Sequence, residues 1–235
     1  MRRAFVHGFA GSPAIWSGIA RPDDDDICIA LPGHGATPVQ PTWDANLAAV
    51  AQAIGPACDL VVGYSLGARI ALGLLATGRA ARAILISVNP GIRDAERAAR
   101  RANDAAWAHM LRERGLAAFF EAWQAQPLFA TQSRAPADRR AARGAARRAL
   151  DPEQLARTFE VMGLAEMPDH TAAVTADRCR LIVGADDTKF LAIARTLPAP
   201  LDVIADCGHD PTLEQPATLA DLLVSNSALL ARRGG

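Results

Sequence analysis

The segment from Asp59 to Leu72, DLVVGYSLGARIAL, restricts what this chain can fold into more than any other. Leu60 to Val62 read as a short buried strand, and Leu66 to Ala76 carry apolar residues at helical spacing. The two must therefore join through a very tight turn with Ser65 at its apex. A residue at that apex has strained backbone angles, and the glycines two positions either side, Gly63 and Gly67, keep Cβ atoms out of neighbouring chain. Gly-x-Ser-x-Gly in a strand-to-helix turn is a nucleophile elbow. Alone, the pentapeptide is not specific, so its meaning depends on what the rest of the chain supplies.

Short apolar segments alternate with helical ones along the chain: Ala4 to Val6, Ile27 to Ala30, Leu60 to Val62, Ala83 to Ser87, Leu181 to Val183 and Leu201 to Ile204. This rhythm predicts an α/β fold, a mostly parallel, doubly wound sheet with helices on both faces. It breaks between Asn89 and Asp177, where no strand pattern appears and Ala, Arg, Glu and Leu dominate. Residues 1–88 and 178–235 are therefore expected to form the core, and 89–177 an inserted helical lid. An insertion there covers the C-terminal edge of the strands, where open α/β sheets bind ligands. A length of 235 residues suits one domain with such an insertion.

Composition excludes several functions. With 25 basic and 25 acidic residues there is no net field to favour nucleic acid or an anionic membrane, and the Arg-rich stretch SRAPADRRAARGAARRAL reads as solvated helix faces. Apolar runs stop well short of the roughly twenty residues of a membrane span, and the start of the chain reads as a strand rather than a leader, so a cytoplasmic protein is expected. Cys28, Cys58, Cys179 and Cys207 lack metal or disulfide spacing and read as reduced core thiols. The run Asp23 to Asp26 lacks the alternation of a calcium loop and reads as a solvated turn. No metal and no cofactor is expected, and the sequence leaves oligomeric state open.

A serine at an elbow needs a base and an acid to orient that base. In the α/β-hydrolase arrangement these follow later in the chain, on loops after later strands. After CRLIVG come Asp186 and Asp187, and after LDVIADCG comes His209, giving the order Ser, Asp, His. His209 would take the Ser65 proton, while one of the two aspartates fixes its tautomer. Two backbone donors should form an oxyanion hole: the N–H of Leu66 at a helix N-terminus and that of Phe9 in the HGFAG turn after the first strand. His34, in LPGHGAT, reads as a loop residue.

The set HGFAGSPAIW, LPGHGAT, VGYSLGARIAL, NPGIRDAERAARRANDAAWA, FFEAWQAQPLFA, VGADDTKF and CGHDPTLEQP resembles the MenH family of α/β-hydrolase-fold lyases over essentially the whole chain. HGFAGSPAIW, LPGHGAT and CGHDPTLEQP occur across many α/β hydrolases; the Arg after GYSLGA and the ERAARRANDAAWA and WQAQPLFA segments are more particular. The resemblance implies 2-succinyl-6-hydroxy-2,4-cyclohexadiene-1-carboxylate synthase activity, in which serine, relieved of its proton by histidine, acts as base on a ring carbon and enolpyruvate is eliminated on the route to menaquinone. It aligns Asp187 with the family acid. It also matches Arg100 and Arg147 to substrate-binding arginines and Tyr64 and Trp123 to pocket residues.

A small anionic substrate would need such cations, and Arg69, one helical turn past Ser65, is a further candidate. Two departures bear on the substrate: Thr212 stands where the family usually has a second His, and Ala98-Ala99 where an acid is common between arginines. The alternative on the same fold is a serine carboxylesterase or C–C bond hydrolase working through an acyl-enzyme.

Overall fold

All six apolar segments form strands: β1 (Arg3–Val6), β2 (Ile27–Ile29), β3 (Leu60–Tyr64), β4 (Ala83–Ile86), β5 (Cys179–Gly184) and β6 (Leu201–Ile204). They pair in the order β2-β1-β3-β4-β5-β6, every pairing parallel. The structure, a computed structural model, describes residues 2–21, 25–56 and 58–232.

Side-chain alternation divides the strands between two cores, as a pleated strand buried on both faces requires. Ala4, Val6, Val61, Leu85, Leu181 and Val183 face one side. There they pack under α1 (Trp43–Ile54), α2 (Leu66–Ala76) and, further along the chain, α6 (Thr188–Ala194). Phe5, Leu60, Val62, Ile84, Ile86 and Ile182 face the other, under the short 3-10 turn Pro13–Trp16 and α8 (Pro216–Arg232).

Between β4 and β5 lie α3 (Asp94–Gln124), a 3-10 helix (Pro127–Arg134), α4 (Ala137–Arg148) and α5 (Pro152–Met162). A four-residue helix, α7 (Pro211–Glu214), follows β6. Helix α3 is broken at Gly115, whose φ of 70° is open to glycine without a Cβ penalty. The cap has its own apolar cluster, in which Leu111, Phe119 and Phe120 of α3 meet Leu155, Ala156 and Phe159 of α5. Arg112 of α3 bridges Glu153 and Glu160 of α5, and Arg101 reaches Glu166. These exposed pairs select the alignment of two helices that the apolar contact already holds together, since each contributes about 1 kcal/mol or less. Met162, Leu164, Met167 and Val174 pack into the sheet-face core. By packing, the return to the core begins near Met162, earlier than the boundary at Asp177.

Two expectations need correction. Asp26 is not in a solvated turn: its side chain is 1% exposed and it receives Nε and Nη2 of Arg3, at 2.8 and 2.6 Å. Asp23 and Asp24 lie outside the described residues. Only Cys179 and Cys207 are buried thiols; Cys58 is half-buried, and Cys28 is exposed because the edge strand β2 turns it outward. Among the described residues no helix is long and apolar enough to cross a membrane, and no group of three or more His, Cys, Asp or Glu could hold a metal ion.

The elbow depends on backbone contact. A Cβ on Gly67 would overlap the carbonyls of Val6 and His7, and one on Gly63 would overlap the backbone of Gly67 and Ala68. Neither neighbour is a side chain that can swing aside. Gly67→Ala should therefore cost about 3 kcal/mol or more in urea denaturation. Gly144→Ala, in the interior of α4 with only the end of Arg148 within contact distance, should raise stability by about 0.5 to 1 kcal/mol.

Candidate active site

Ser65 sits between β3 and α2 at φ 52° and ψ −110°, a strained conformation for a residue with a Cβ. Its Oγ is 3.1 Å from Nε2 of His209, and Nδ1 of His209 is 2.7 Å from Oδ2 of Asp187. The imidazole and the carboxylate are 3% and 1% exposed, so this contact is shielded from water. Asp186, the competing carboxylate, points away and pairs with Arg134 of the cap at an exposed position. Chain direction explains the difference. Asp187 N-caps α6, and its own Oδ1 reaches toward the Phe190 N–H at 3.5 Å, which turns Oδ2 to the histidine. Phe190 lies against the histidine ring, with centroids 4.5 Å apart.

The loop carrying His209 is braced on both sides. Glu214 accepts the backbone N–H groups of Gly208 and Asp210. The Asp210 side chain, 1% exposed, receives Nη1 of Arg143 from cap helix α4 at 2.6 Å. Thr212 closes the network: it donates to Asp210 and accepts from Nη2 of Arg143. The position where the resemblance leads one to expect a second histidine thus holds a hydroxyl that ties the cap to the histidine loop.

Opposite Ser65, the HGFAG turn is shaped by two histidines, and the role of His7 there was not apparent from the sequence. Nε2 of His7 accepts the Leu31 N–H and Nε2 of His34 accepts the Ala10 N–H, so each neutral ring carries its proton on Nδ1 and donates it to the Gly8 or Pro32 carbonyl. These bonds fix the backbone on both sides of Phe9. Gly8 is required here, since a Cβ would press on the Tyr64 ring and on Cβ of Ser65. Among the described residues, the Phe9 and Leu66 N–H groups have no hydrogen-bond acceptor, and Leu66 begins α2, whose dipole adds positive potential. Phe9 and Leu66 line the same cavity as Ser65, the shared placement an oxyanion hole requires.

Above Ser65 is a cavity of about 250 Å³ whose wall holds Tyr64, Arg69, Arg100, Trp123 and Arg147 together. Burial, then the Arg100 charge, lowers the Arg69 guanidinium to about 9, although it remains protonated at neutral pH. Nη1 of Arg69 donates to the Met162 carbonyl. Arg100 uses Nε on both oxygens of Asp104, one helical turn away, leaving its terminal nitrogens uncommitted. Asp104 supplies a partner acid at a position other than Ala98-Ala99. Arg147 is 7% exposed, lies 5.5 Å over the Phe120 ring, and has no partner for Nε among the described residues. Burial, followed by the Arg143 charge, lowers its basicity. Burial also raises Tyr64 well above the ordinary phenol value, so the ring is neutral.

Arg143 and Lys189 also line the cavity, giving five cations against the carboxylates of Asp104 and Asp210. Sequence reading missed Arg143, Lys189, Asp104, Asp210 and Trp107. Arg143 carried no signal that separated it from neighbouring arginines, although its spacing of one turn from Arg147 puts both on one face of α4.

Two expectations follow. Burial lowers His7 to about 3 and His34 to about 4, against 6.5 in the unfolded chain. Below about 6.5 the unfolded chain binds more protons, so stability falls as pH drops through this window and is fully present above it. Denaturation midpoints should decline from about pH 6.5 toward 4, and His7→Gln should flatten the slope. Separately, Asp187→Asn should reduce turnover by about four powers of ten, as loss of the tautomer-fixing carboxylate does elsewhere. Asp186→Asn should stay within about threefold, and the reverse order would show that the 2.7 Å contact is not the working one.

Comparison with known proteins gives a consistent set of relatives. Residues 4–222 match the Alpha/beta hydrolase family. The 2-succinyl-6-hydroxy-2,4-cyclohexadiene-1-carboxylate synthase of Klebsiella pneumoniae is 34% identical, covering 94% of this chain and 93% of its own. The protein of the same name from Citrobacter koseri is 33% identical, covering 93% and 90%. Among solved structures, MenH from S. aureus superposes with a TM-score of 0.89 at 23% identity, covering 100% of this chain and 95% of its own. A carboxylesterase from the thaumarchaeon Nitrososphaera gargenis superposes at 0.77 with 17% identity, covering 98% and 91%, which shows a shared fold.

Proposed function

Because this chain belongs to the alpha/beta hydrolase family and to the 2-succinyl-6-hydroxy-2,4-cyclohexadiene-1-carboxylate synthases within it, we propose that its cavity eliminates pyruvate from a 5-enolpyruvoyl cyclohexene carboxylate. The observation that carries this reading is the surplus of cations in the cavity wall at Ser65, with the half-buried Arg69 and the buried Arg147 lacking any carboxylate partner among the described residues. Burying a guanidinium without a counter-charge is costly unless the ligand brings one. A multiply anionic substrate does so, and the planar fork of Arg meets a carboxylate with two bonds.

His209 accepts the Ser65 proton at Nε2 while Asp187 stabilises the imidazolium through Nδ1. The Ser65 oxyanion then removes a proton from the ring carbon, and the C–H electron pair enters the ring π system. The C–O bond to the enolpyruvoyl group breaks with its electron pair going to oxygen, which takes the proton from the His209 imidazolium, so that the fragment leaves as an enol that tautomerises to pyruvate and both Ser65 and His209 return to their starting states. The Phe9 and Leu66 N–H groups stabilise negative charge that develops on an oxygen conjugated to the ring. The chain's own groups suffice for each proton transfer.

The same Ser-His geometry would serve an esterase or C–C bond hydrolase, and the cations are what separate the two. Purified protein should release pyruvate from the enolpyruvoyl precursor, followed by coupled reduction of the pyruvate. Ser65→Ala should lower that rate by at least about a thousandfold. Arg69→Ala and Arg100→Ala should each cost about ten- to a hundredfold in kcat/KM for this substrate, with Lys recovering only part. Hydrolysis of a small neutral ester should change by less than about twofold, because no group on it meets a guanidinium. A substrate-derived acyl group trapped on Ser65, or equal losses on neutral and anionic substrates, would overturn the elimination reading.

A further inference from the structure

A second cavity, of about 620 Å³, lies in the cap between the Pro127–Arg134 helix and α4. Its wall carries Arg140, Arg143, Arg147 and Arg148, and among the described residues that line it none is acidic. Two of its buried side chains have donors with no hydrogen-bond partner among the described residues: Nε of Arg147 and Nε2 of Gln132, on residues 7% and 9% exposed. A buried N–H left unpaired costs free energy in the empty protein, and two in one wall mark a place where acceptors arrive from outside. Arg143 is already paired with Asp210, so the uncommitted charge comes from Arg140, Arg147 and Arg148. The fork of Arg148 folds back over α4, with Nη1 3.6 Å from where a Cβ of Gly144 would stand.

This cavity is separate from the chemistry yet shares a wall with it. Phe129, Arg143 and Arg147 line both cavities, whereas Ser65, His209, Phe9 and Leu66 line only the first. We infer that the outer cavity is an anion site for a small carboxylate, with Arg147 common to both chambers and Gln132, Arg140 and Arg148 completing the outer one. Resting on the elimination reading above, the ligand is the expelled pyruvate. The fragment leaves the ring beside Arg147, and a carboxylate held by that guanidinium passes outward without ever losing its counter-charge. The larger ring product, which keeps its own carboxylates on Arg69 and Arg100, stays in the inner cavity.

The test reads binding rather than turnover, so its failure is distinguishable from failure of the elimination reading. Carbon-13 pyruvate is titrated into the full-length protein and its line broadening followed by NMR, with uncharged pyruvamide as control. Saturable binding of pyruvate and none of pyruvamide is expected. Arg140→Gln combined with Arg148→Gln, at exposed positions that line only the outer cavity, should weaken pyruvate by about fivefold or more. Arg100→Ala, which alters only the inner cavity, should leave pyruvate affinity within about twofold. Circular dichroism checks that each variant is folded, and single Gln variants with a smaller loss each replace the double variant if it is not. Absence of saturable binding, equal binding of pyruvamide, or sensitivity to Arg100→Ala with none to the outer arginines would each overturn the inference.

Discussion

The close approach of α2 to β1 is the contact on which the site depends. Gly67 lies against the carbonyls of Val6 and His7 with no room for a Cβ, and this lets the first turn of α2 begin directly at the end of β3. Ser65 is thereby forced to φ 52°, which lifts its Oγ clear of the sheet. The Leu66 N–H emerges beside it, and the HGFAG turn that follows β1 is brought to the other side. One steric constraint thus places a nucleophile and two donors, and the strain it stores is offset by the buried sheet around it.

The remaining partners are held by polar bonds to that frame. His7 and His34 are buried where they can only be neutral, and each spends both ring nitrogens on backbone. Their contribution is positional: they hold Gly8 and Ala10, and so the Phe9 N–H between them. On the far side, Glu214 and the Arg143–Asp210–Thr212 network hold the loop of His209. Because Arg143 belongs to α4, the cap and the histidine loop share a buried ion pair, and displacement of the cap would leave Asp210 as an unpaired buried charge. The position of the cap and the integrity of the Ser-His contact are energetically linked.

Charge in the cap and on the core helix beneath it is sorted by depth. On the outside, Arg112 and Arg101 are paired with glutamates, which aligns α3 with α5 at little net gain. Inside, Arg100 and Arg143 have one carboxylate each, while Arg69 and Arg147 have a carbonyl and an aromatic face instead. A chain with no net charge overall therefore presents a cavity wall with a surplus of positive charge, which the composition alone could not reveal.

What the sequence determined by itself was whatever depends on local chain geometry. Alternating apolar residues define strands because side chains in a strand point to opposite faces. The elbow was legible because its two glycines stand at fixed offsets, and the Asp186–Asp187 pair and His209 because loops after successive parallel strands must gather at one edge, while the choice of Asp187 within the pair came from the family resemblance. Arg69 was legible for the same reason, being one turn from Ser65 on the same helix. Tertiary structure decided everything that needs a partner distant in sequence. Asp26 looked like one more residue of an acidic turn until Arg3, 23 residues away, was found to bury it. Arg143 was one arginine among many until Asp210, 67 residues on, singled it out. Which guanidinium is paired and which is free is a matter of distance in space, and spacing along a helix specifies only the face it lies on.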